Sequence, residues 1–235
     1  MQCGLYNVPE VADPCDVTPD WSAIRTVCLD MDGTVLDLSF DNMFWLDALP
    51  RHWGERHGVP AEQAIRTLRS RFDEKRGTLD WYCIDHWSDE LDFDIAALKA
   101  ELGRHIRYLP GAIDFLDAVR VLGKRLLLTT NAHPISLAVK ERQTGLSRHF
   151  DQLVSSHEFS VPKESEEFWA RLAASHAVDP SSTLFVDDSA AVIEAARRAG
   201  VYSVYQVLRP DSTLPPRAPL TGVTAICGLA EIIPR

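Results

Sequence analysis

Asp30 and Asp32 stand two residues apart, directly after a short apolar run over residues 24–29 and directly before Gly33-Thr34. A second acidic pair, Asp187-Asp188, followed by Ser189, closes another apolar run over residues 183–186. Runs of this length and composition read as buried strands. If two such strands lie parallel and adjacent, four carboxylates converge at one sheet edge. Like charges about 4 Å apart repel by on the order of 4 kcal/mol at an effective dielectric of about 20. Such a cluster needs a cation or shifted pKa values. An all-oxygen donor set favours a hard ion, and a site that must also admit phosphate favours Mg2+. The competing reading is that acidic residues at loop starts cap helices, and for a single Asp-x-Asp it is the stronger one. The full Asp-x-Asp-Gly-Thr after one strand, joined by Asp-Asp-Ser after another, weighs towards the ion.

Two further positions belong with these carboxylates. Thr129, Thr130 and Asn131 end a third apolar run, residues 125–130, and bring a hydroxyl and backbone amides to the same edge. These groups suit the oxygens of a phosphoryl group. Lys163, in Val161-Pro162-Lys163-Glu164, falls at the expected start of a helix over 164–176. A lone lysine is usually surface; its place in this order promotes it to a cation for the site.

The elements that must position these residues alternate. Strands are expected at 24–29, 125–130, 150–155, 183–186 and 201–207, with helices at 111–122, 134–144, 164–176 and 189–199 between them and Gly200 as a helix-ending glycine. This alternation gives an α/β fold, a Rossmann-like parallel sheet with both faces covered. One interval breaks it. Four helical pieces, 41–57, 60–76, 80–91 and 94–106, follow the first strand, and Pro50 should kink or divide the first. The organisation is an irregular leader over 1–20, an α/β core over 21–38 and 108–235, and an inserted helical cap over 39–107. Such a cap would lie over the carboxyl ends of the strands, where open α/β sheets bind ligands. The Pro-rich tail closes with a short strand near 223–226 and a helix from Leu229.

Composition narrows the partners. Of 235 residues, 46% are apolar, enough for a sizeable core. Lys plus Arg is 24 against 34 Asp plus Glu, a net charge of −10, which speaks against a nucleic-acid polymer or an anionic membrane as partner. No apolar stretch approaches the roughly 18 residues of a membrane span, and the N-terminus has no secretory pattern. Cys3, Cys15, Cys28, Cys83 and Cys227 form no Cys-x-x-Cys pair. Their odd number reads as reduced thiols in a cytoplasmic protein.

Taken in order, Asp30-x-Asp32-Gly33-Thr34, Thr130, Lys163 and Asp187-Asp188 resemble the four signature motifs of the haloacid dehalogenase-like hydrolase superfamily, over roughly residues 22–208. The resemblance implies that Asp30 is a nucleophile that becomes an aspartyl-phosphate. Asp32 is then the general acid for the leaving oxygen and the base for water. Thr130 and Lys163 bind phosphoryl oxygens, beside the Asn131 already placed at that edge, and Mg2+ is held by Asp30, the Asp32 carbonyl and Asp188, with Asp187 either a further ligand or a partner of the ligands. The second aspartate separates phosphatases from the superfamily's dehalogenases, which lack it. The substrate so implied is a small-molecule phosphomonoester. Within the superfamily, a sugar-phosphate phosphatase or phosphoglucomutase-like enzyme is the alternative activity.

A closer resemblance rests partly on the cap. Asp37-Leu38-x-Phe40-Asp41-Asn42-x-Phe44-Trp45, Trp81-Tyr82-Cys83-x-Asp85-x-Trp87-Ser88, Thr130-Asn131-Ala132-His133-Pro134 and Leu137-Ala138-Val139-Lys140 are similar to the bacterial GMP/IMP 5′-nucleotidase family. It implies hydrolysis of purine nucleoside monophosphates. From the residues alone, the cap carries Trp45, Trp53, Trp81 and Trp87 with Tyr82 and Phe44. Flat rings stack on purines, although a small helical layer also needs large side chains for its own core. Asp41, Trp45, Trp81 and Asp85 are the candidate substrate contacts; Asn42 and His86 are polar neighbours of the kind that more often cap helices. Arg66, Arg69, Arg71, Lys75 and Arg76 read as a solvated face, and His133 as either a pocket residue or a structural hydrogen bond.

Overall fold

β1 (Thr26–Leu29) lies inside a six-stranded sheet of order β3-β2-β1-β4-β5-β6. The other strands are β2 (Arg125–Thr130), β3 (Gln152–Ser155), β4 (Thr183–Asp187), β5 (Ser203–Val207) and β6 (Thr224–Ile226). Every pairing is parallel. The structure, a computed structural model, describes residues 17–234. Most of the expected leader, with Cys3 and Cys15, lies outside the described residues; residues 17–20 carry no helix or strand.

The register explains why the strands read as continuous apolar runs. Val27 and Leu29 of β1, Leu126 and Leu128 of β2, and Leu184 and Val186 of β4 face one buried cluster. Cys28, Leu127 and Phe185 face another. Side chains alternate across a strand, so a sheet covered on both faces needs apolar residues at every position. The first face is covered by α7 (Ala112–Val121) through Phe115, Leu116 and Val119. The second is covered by α9 (Glu166–His176) and α10 (Ala190–Arg198), through Phe168, Trp169, Val192 and Ala196. Leu29 is level with both Leu128 and Val186. The next residues along these three strands, Asp30, Thr129 and Asp187, therefore emerge side by side.

Between β1 and β2 the chain is helical, as the sequence pattern implies, but its breaks differ. α1 (Ser39–Met43) and α2 (Leu49–His57) are joined by a π-helical turn over Phe44–Ala48. The helix changes type directly before Pro50: the π-helical turn ends at Ala48 and α2 starts at Leu49, with Pro50 in its first turn. Proline lacks an N–H and its ring crowds the preceding turn, and the wider π-helical turn before it opens the hydrogen-bond ladder there. α3 (Ala61–Lys75) follows. The expected helix over 80–91 is two, α4 (Leu79–Tyr82) and α5 (Ile84–Leu91), interrupted at Cys83, whose backbone is extended. α6 (Ile95–Glu101) starts where the Asp94 side chain accepts the Ala97 N–H, then tightens into a 3-10 turn. Phe40, Phe44, Leu68, Phe72 and Trp87 of this block share one apolar cluster with the first sheet face.

Other boundaries also move. The helix expected from 164 begins at Glu166, because Ser165 caps it by accepting the Glu167 N–H. Lys163 consequently sits in the turn before a helix rather than in its first turn. The closing helix expected from Leu229 is present as a 3-10 helix, Leu229–Ile232. α8 (Pro134–Thr144) matches its expected bounds. Among the described residues, no helix is long and apolar enough to cross a membrane.

Candidate active site

Parallel strands end at one edge, and the acidic residues arrive there from β1 and β4. Lys163 Nζ stands 2.5 Å from Asp30 Oδ1 and 2.8 Å from Asp187 Oδ2, and donates to the Thr129 carbonyl at 2.9 Å. All three charged groups are buried. Burial, opposed by Lys163, pushes the Asp30 carboxyl well above the carboxylate range, with Asp187, Asp188 and Asp32 adding to the rise. Asp188 is pushed up to about 7 by burial and by Asp187, even though Arg217 donates to it at 2.8 Å. Burial works against charge on Lys163, but Asp187 and Asp30 hold its ammonium above the usual range.

The turn chemistry keeps this cluster tight. Gly33 has φ +96, and a Cβ there would meet Pro210 Cβ at 2.8 Å and Asp188 Cγ at 2.9 Å. Only glycine lets the loop after β1 pass so close to the loop after β4. Thr130 Oγ1 accepts the Ala132 N–H at 3.0 Å, leaving its hydroxyl proton free to donate. The Asn131 side chain is spent on the Lys163 turn: Oδ1 accepts the Lys163 N–H at 2.9 Å and Nδ2 donates to Glu164 at 2.9 Å. Tyr82, from the inserted block, donates to the other oxygen of Glu164 at 2.7 Å.

Residues 24–200, which include all of these strand-end groups, match the sequence profile of the haloacid dehalogenase-like hydrolases. The chain belongs to the haloacid dehalogenase-like hydrolase family. It is 43% identical over 192 residues to the GMP/IMP nucleotidase YrfG of Escherichia coli (strain K12), covering 82% of this chain and 86% of that protein. It is 26% identical to a phosphoglycolate phosphatase of Chromobacterium violaceum, over 77% of this chain and 84% of the relative. A HAD phosphatase of Thermococcus onnurineus, 20% identical, shares the fold with a TM-score of 0.76 over 88% of this chain and 95% of that one.

Above the strand ends, the hydrolase has a cavity of about 270 Å3. Its floor is Asp30, Asp32, Thr130 and Lys163, and its roof includes Trp45, Trp81 and Tyr82 from the inserted helices. Trp45 stands edge-on to Phe44 and Phe72, and Trp81 to Phe72. Trp87 lies in the core and donates from Nε1 to the Trp81 carbonyl at 3.0 Å. Trp53 donates to the Leu91 carbonyl and is not part of the cavity wall.

Two acidic candidates are placed differently from expectation. Asp85 is outside the cavity lining; its side chain is exposed and lies 3.6 Å from His133 Nε2. A continuous helix would set it one turn from Trp81 on the same face, but the interruption at Cys83 breaks that relation. Asp41 does line the cavity, yet both its oxygens are engaged, by Lys99 at 2.8 Å and Lys140 at 2.7 Å. The two ammonium groups outweigh burial and hold the Asp41 carboxyl well below the usual range. Lys140 Nζ also contacts Asp32 Oδ1 at 2.5 Å. Asp32 is nonetheless raised, by burial and by Asp41, against the pull of Lys140.

Lys99 is a cavity residue that sequence reasoning misses, and Lys140 enters it only as part of Leu137-Ala138-Val139-Lys140, with no role. Each is about 1% exposed, unusual enough for lysine to single it out. The remaining sequence signal is position: Lys99 falls inside an apolar helix, and Lys140 follows Ser136 by four residues on an otherwise buried face. Arg217 is missed as well. His133 is not in the wall of this cavity; its Nδ1 accepts the Ile135 N–H at 3.4 Å and caps α8. The basic run on α3 pairs at the surface, as Arg71 with Glu90 and Arg76 with Asp73 show.

Proposed function

We propose that this chain is a Mg2+-dependent phosphomonoesterase that works through an aspartyl-phosphate on Asp30 and prefers purine nucleoside 5′-monophosphates, GMP and IMP, in the cytoplasm. One observation carries the phosphatase reading: a second carboxyl, Asp32, raised by burial and by Asp41, stands in the same cavity as Asp30 beneath the inserted helices. A nucleophile and a separate protonatable acid are what phosphomonoester cleavage needs. Asp30 attacks phosphorus while Asp32 donates its proton to the leaving ester oxygen. Asp32, now ionised, takes a proton from water as that water attacks the phosphorus of the aspartyl-phosphate. Phosphate leaves and both carboxyls return to their starting states. Lys163 and the Thr130 hydroxyl donate to the phosphoryl oxygens, where charge is spread in the transition state.

The residues present fit a hard divalent cation. Asp30, Asp187 and Asp188 each offer an oxygen, and these lie within 4.8 Å of one another. Two buried carboxylates and the half-buried Asp188 share one buried ammonium and the Arg217 guanidinium, and burial together with Asp187 still pushes Asp188 up to about 7. Oxygen donors alone favour Mg2+ over softer ions. When bound, Mg2+ would screen Asp30 from the incoming dianion and neutralise phosphoryl oxygens.

The purine preference rests on the likeness to the GMP/IMP nucleotidase, which extends over most of both chains, and on the aromatic roof. Trp45 and Trp81 present ring surface to the cavity while the core holds only the shared phosphoryl group. We take residues 39–107 as the cap and the remainder of the described chain as the catalytic core. Phosphate release across nucleoside monophosphates and sugar phosphates tests this reading. The expected kcat/KM for GMP and IMP exceeds that for pyrimidine nucleotides and glucose phosphates by at least about tenfold, ~1.4 kcal/mol. A preference for a sugar phosphate would overturn the purine assignment.

A further inference from the structure

Outside the acidic centre, a second cluster has metal-ligand chemistry. Cys83, His133 and His157 each place a donor atom within 4.8 Å of the others. They come from three separate parts of the chain: the interruption between α4 and α5, the cap of α8, and the turn after β3. We propose that these three side chains form a second metal site, for a borderline ion such as Zn2+, that ties the inserted helices to the sheet edge.

The donor set differs from the acidic one in kind. One thiol and two imidazoles select Zn2+ or Co2+ over Mg2+. Two of the three donors, on His157 and Cys83, are already anchored. The Asn131 carbonyl holds one ring nitrogen of His157, while the other, Nε2, is buried and has no partner. A histidine ligand bound at one nitrogen and anchored through the other is the usual metal arrangement. His133 stands perpendicular to the His157 ring, with ring centroids 4.9 Å apart. The Cys83 sulfur is fixed by the His86 N–H at 3.4 Å. Asp85 Oδ2 lies 3.6 Å from His133 Nε2 but outside the three-donor group, which leaves the fourth position open.

Tetrahedral ligands bonded at zinc distances stand about 3.5 Å apart, so closure asks for side-chain movements of about an ångström. Binding releases the Cys83 thiol proton to solvent and, at His133 Nε2, moves the ring proton to Nδ1 at the expense of the long bond from Ile135. The site therefore tightens as pH rises. Its position gives it a consequence. Cys83 directly follows Trp81 and Tyr82 of the cavity roof, so an ion here pins that roof to the core.

The test is a titration of the full chain with Co2+ in saturating Mg2+, followed by absorption spectroscopy. We expect one equivalent of Co2+ with tetrahedral visible bands and a thiolate-to-cobalt charge-transfer band, displaced by Zn2+. Cys83→Ser should lose the charge-transfer band, and His157→Gln should weaken Zn2+ binding by at least about tenfold. Asp188→Asn should leave both unchanged. Absence of a charge-transfer band in the native chain, or its survival in Cys83→Ser, overturns the proposal.

Discussion

Lys140 Nζ stands 2.5 Å from Asp32 Oδ1 and joins this aspartate to Asp41 on the first inserted helix. The ammonium is buried, and Lys99 completes the group from α6. Two carboxylates and two ammonium groups thus form a closed set that reaches from the strand-one loop through the inserted helices to α8. Replacing Lys140 by Met leaves Asp32 and Asp41 facing each other with one cation between them. We expect Lys140→Met to lose ~3–5 kcal/mol of stability, the usual cost of orphaning a buried charge, measured by urea denaturation. Lys140 is also what lowers Asp32 against burial. The pH profile of kcat should therefore move to higher pH in this variant; an unmoved profile would detach Lys140 from the role of Asp32.

The two aspartates of the strand-one loop separate kinetically. Asp32→Asn removes the proposed acid but leaves Asp30, the proposed nucleophile. Its burst rate on p-nitrophenyl phosphate, whose leaving group needs little protonation, should fall far less than its burst rate on GMP. General acid catalysis supplies typically ~10²–10⁴-fold, so the two losses should be easily told apart. Equal losses on both substrates would show that Asp32 is not the acid.

Metal dependence follows from the converging carboxylates. EDTA should abolish phosphate release and Mg2+ restore it. Ca2+ should restore little, because its larger and looser coordination would hold Asp30 at the wrong distance from phosphorus. Undiminished turnover in EDTA would remove the ion from the account.

Asp37 gives a pH-dependent stability prediction away from the chemistry. Although burial works against it, hydrogen bonds from Ser212 and Ser39 bring its carboxyl down to about 2. A depressed carboxyl contributes stability that is present above its unfolded pKa and lost as pH falls through the folded one. The loss should run from about 4 down to about 2. With one partner, Arg107, mostly exposed, we expect about 1–2 kcal/mol. Asp37→Asn should be less stable than the native chain by that amount at neutral pH and converge with it near about 2. A constant difference across the range would contradict this.

The sheet and its catalytic edge are legible in the sequence because one physical rule governs both. A strand buried on both faces must be apolar throughout, so the polar residues at 30, 130 and 187 mark where it leaves the core. Functional groups at strand ends therefore stand out against their background. Helices hide theirs. Lys99 and Lys140 occupy helices in which lysine ordinarily reaches solvent, and only the fold reveals that both are buried and paired. Asp85 is misplaced for a related reason: nothing in Trp81-Tyr82-Cys83-Ile84-Asp85 announces that the helix stops and restarts. Pro50, by contrast, is legible: the helix changes type just before it, where a π-helical turn ends.

The central claim is that phosphate passes through Asp30, and the most direct measurement is to trap it there. Asp32→Asn should still form the aspartyl-phosphate from p-nitrophenyl phosphate but hydrolyse it slowly, since the base for water is gone. Incubating this variant with radiolabelled p-nitrophenyl phosphate, quenching in acid and digesting should place the label on the peptide containing Asp30. The label should be released by hydroxylamine and absent from the Asp30→Asn, Asp32→Asn double variant. A label on another residue, or stoichiometric release of p-nitrophenol with no labelled peptide, would contradict the account.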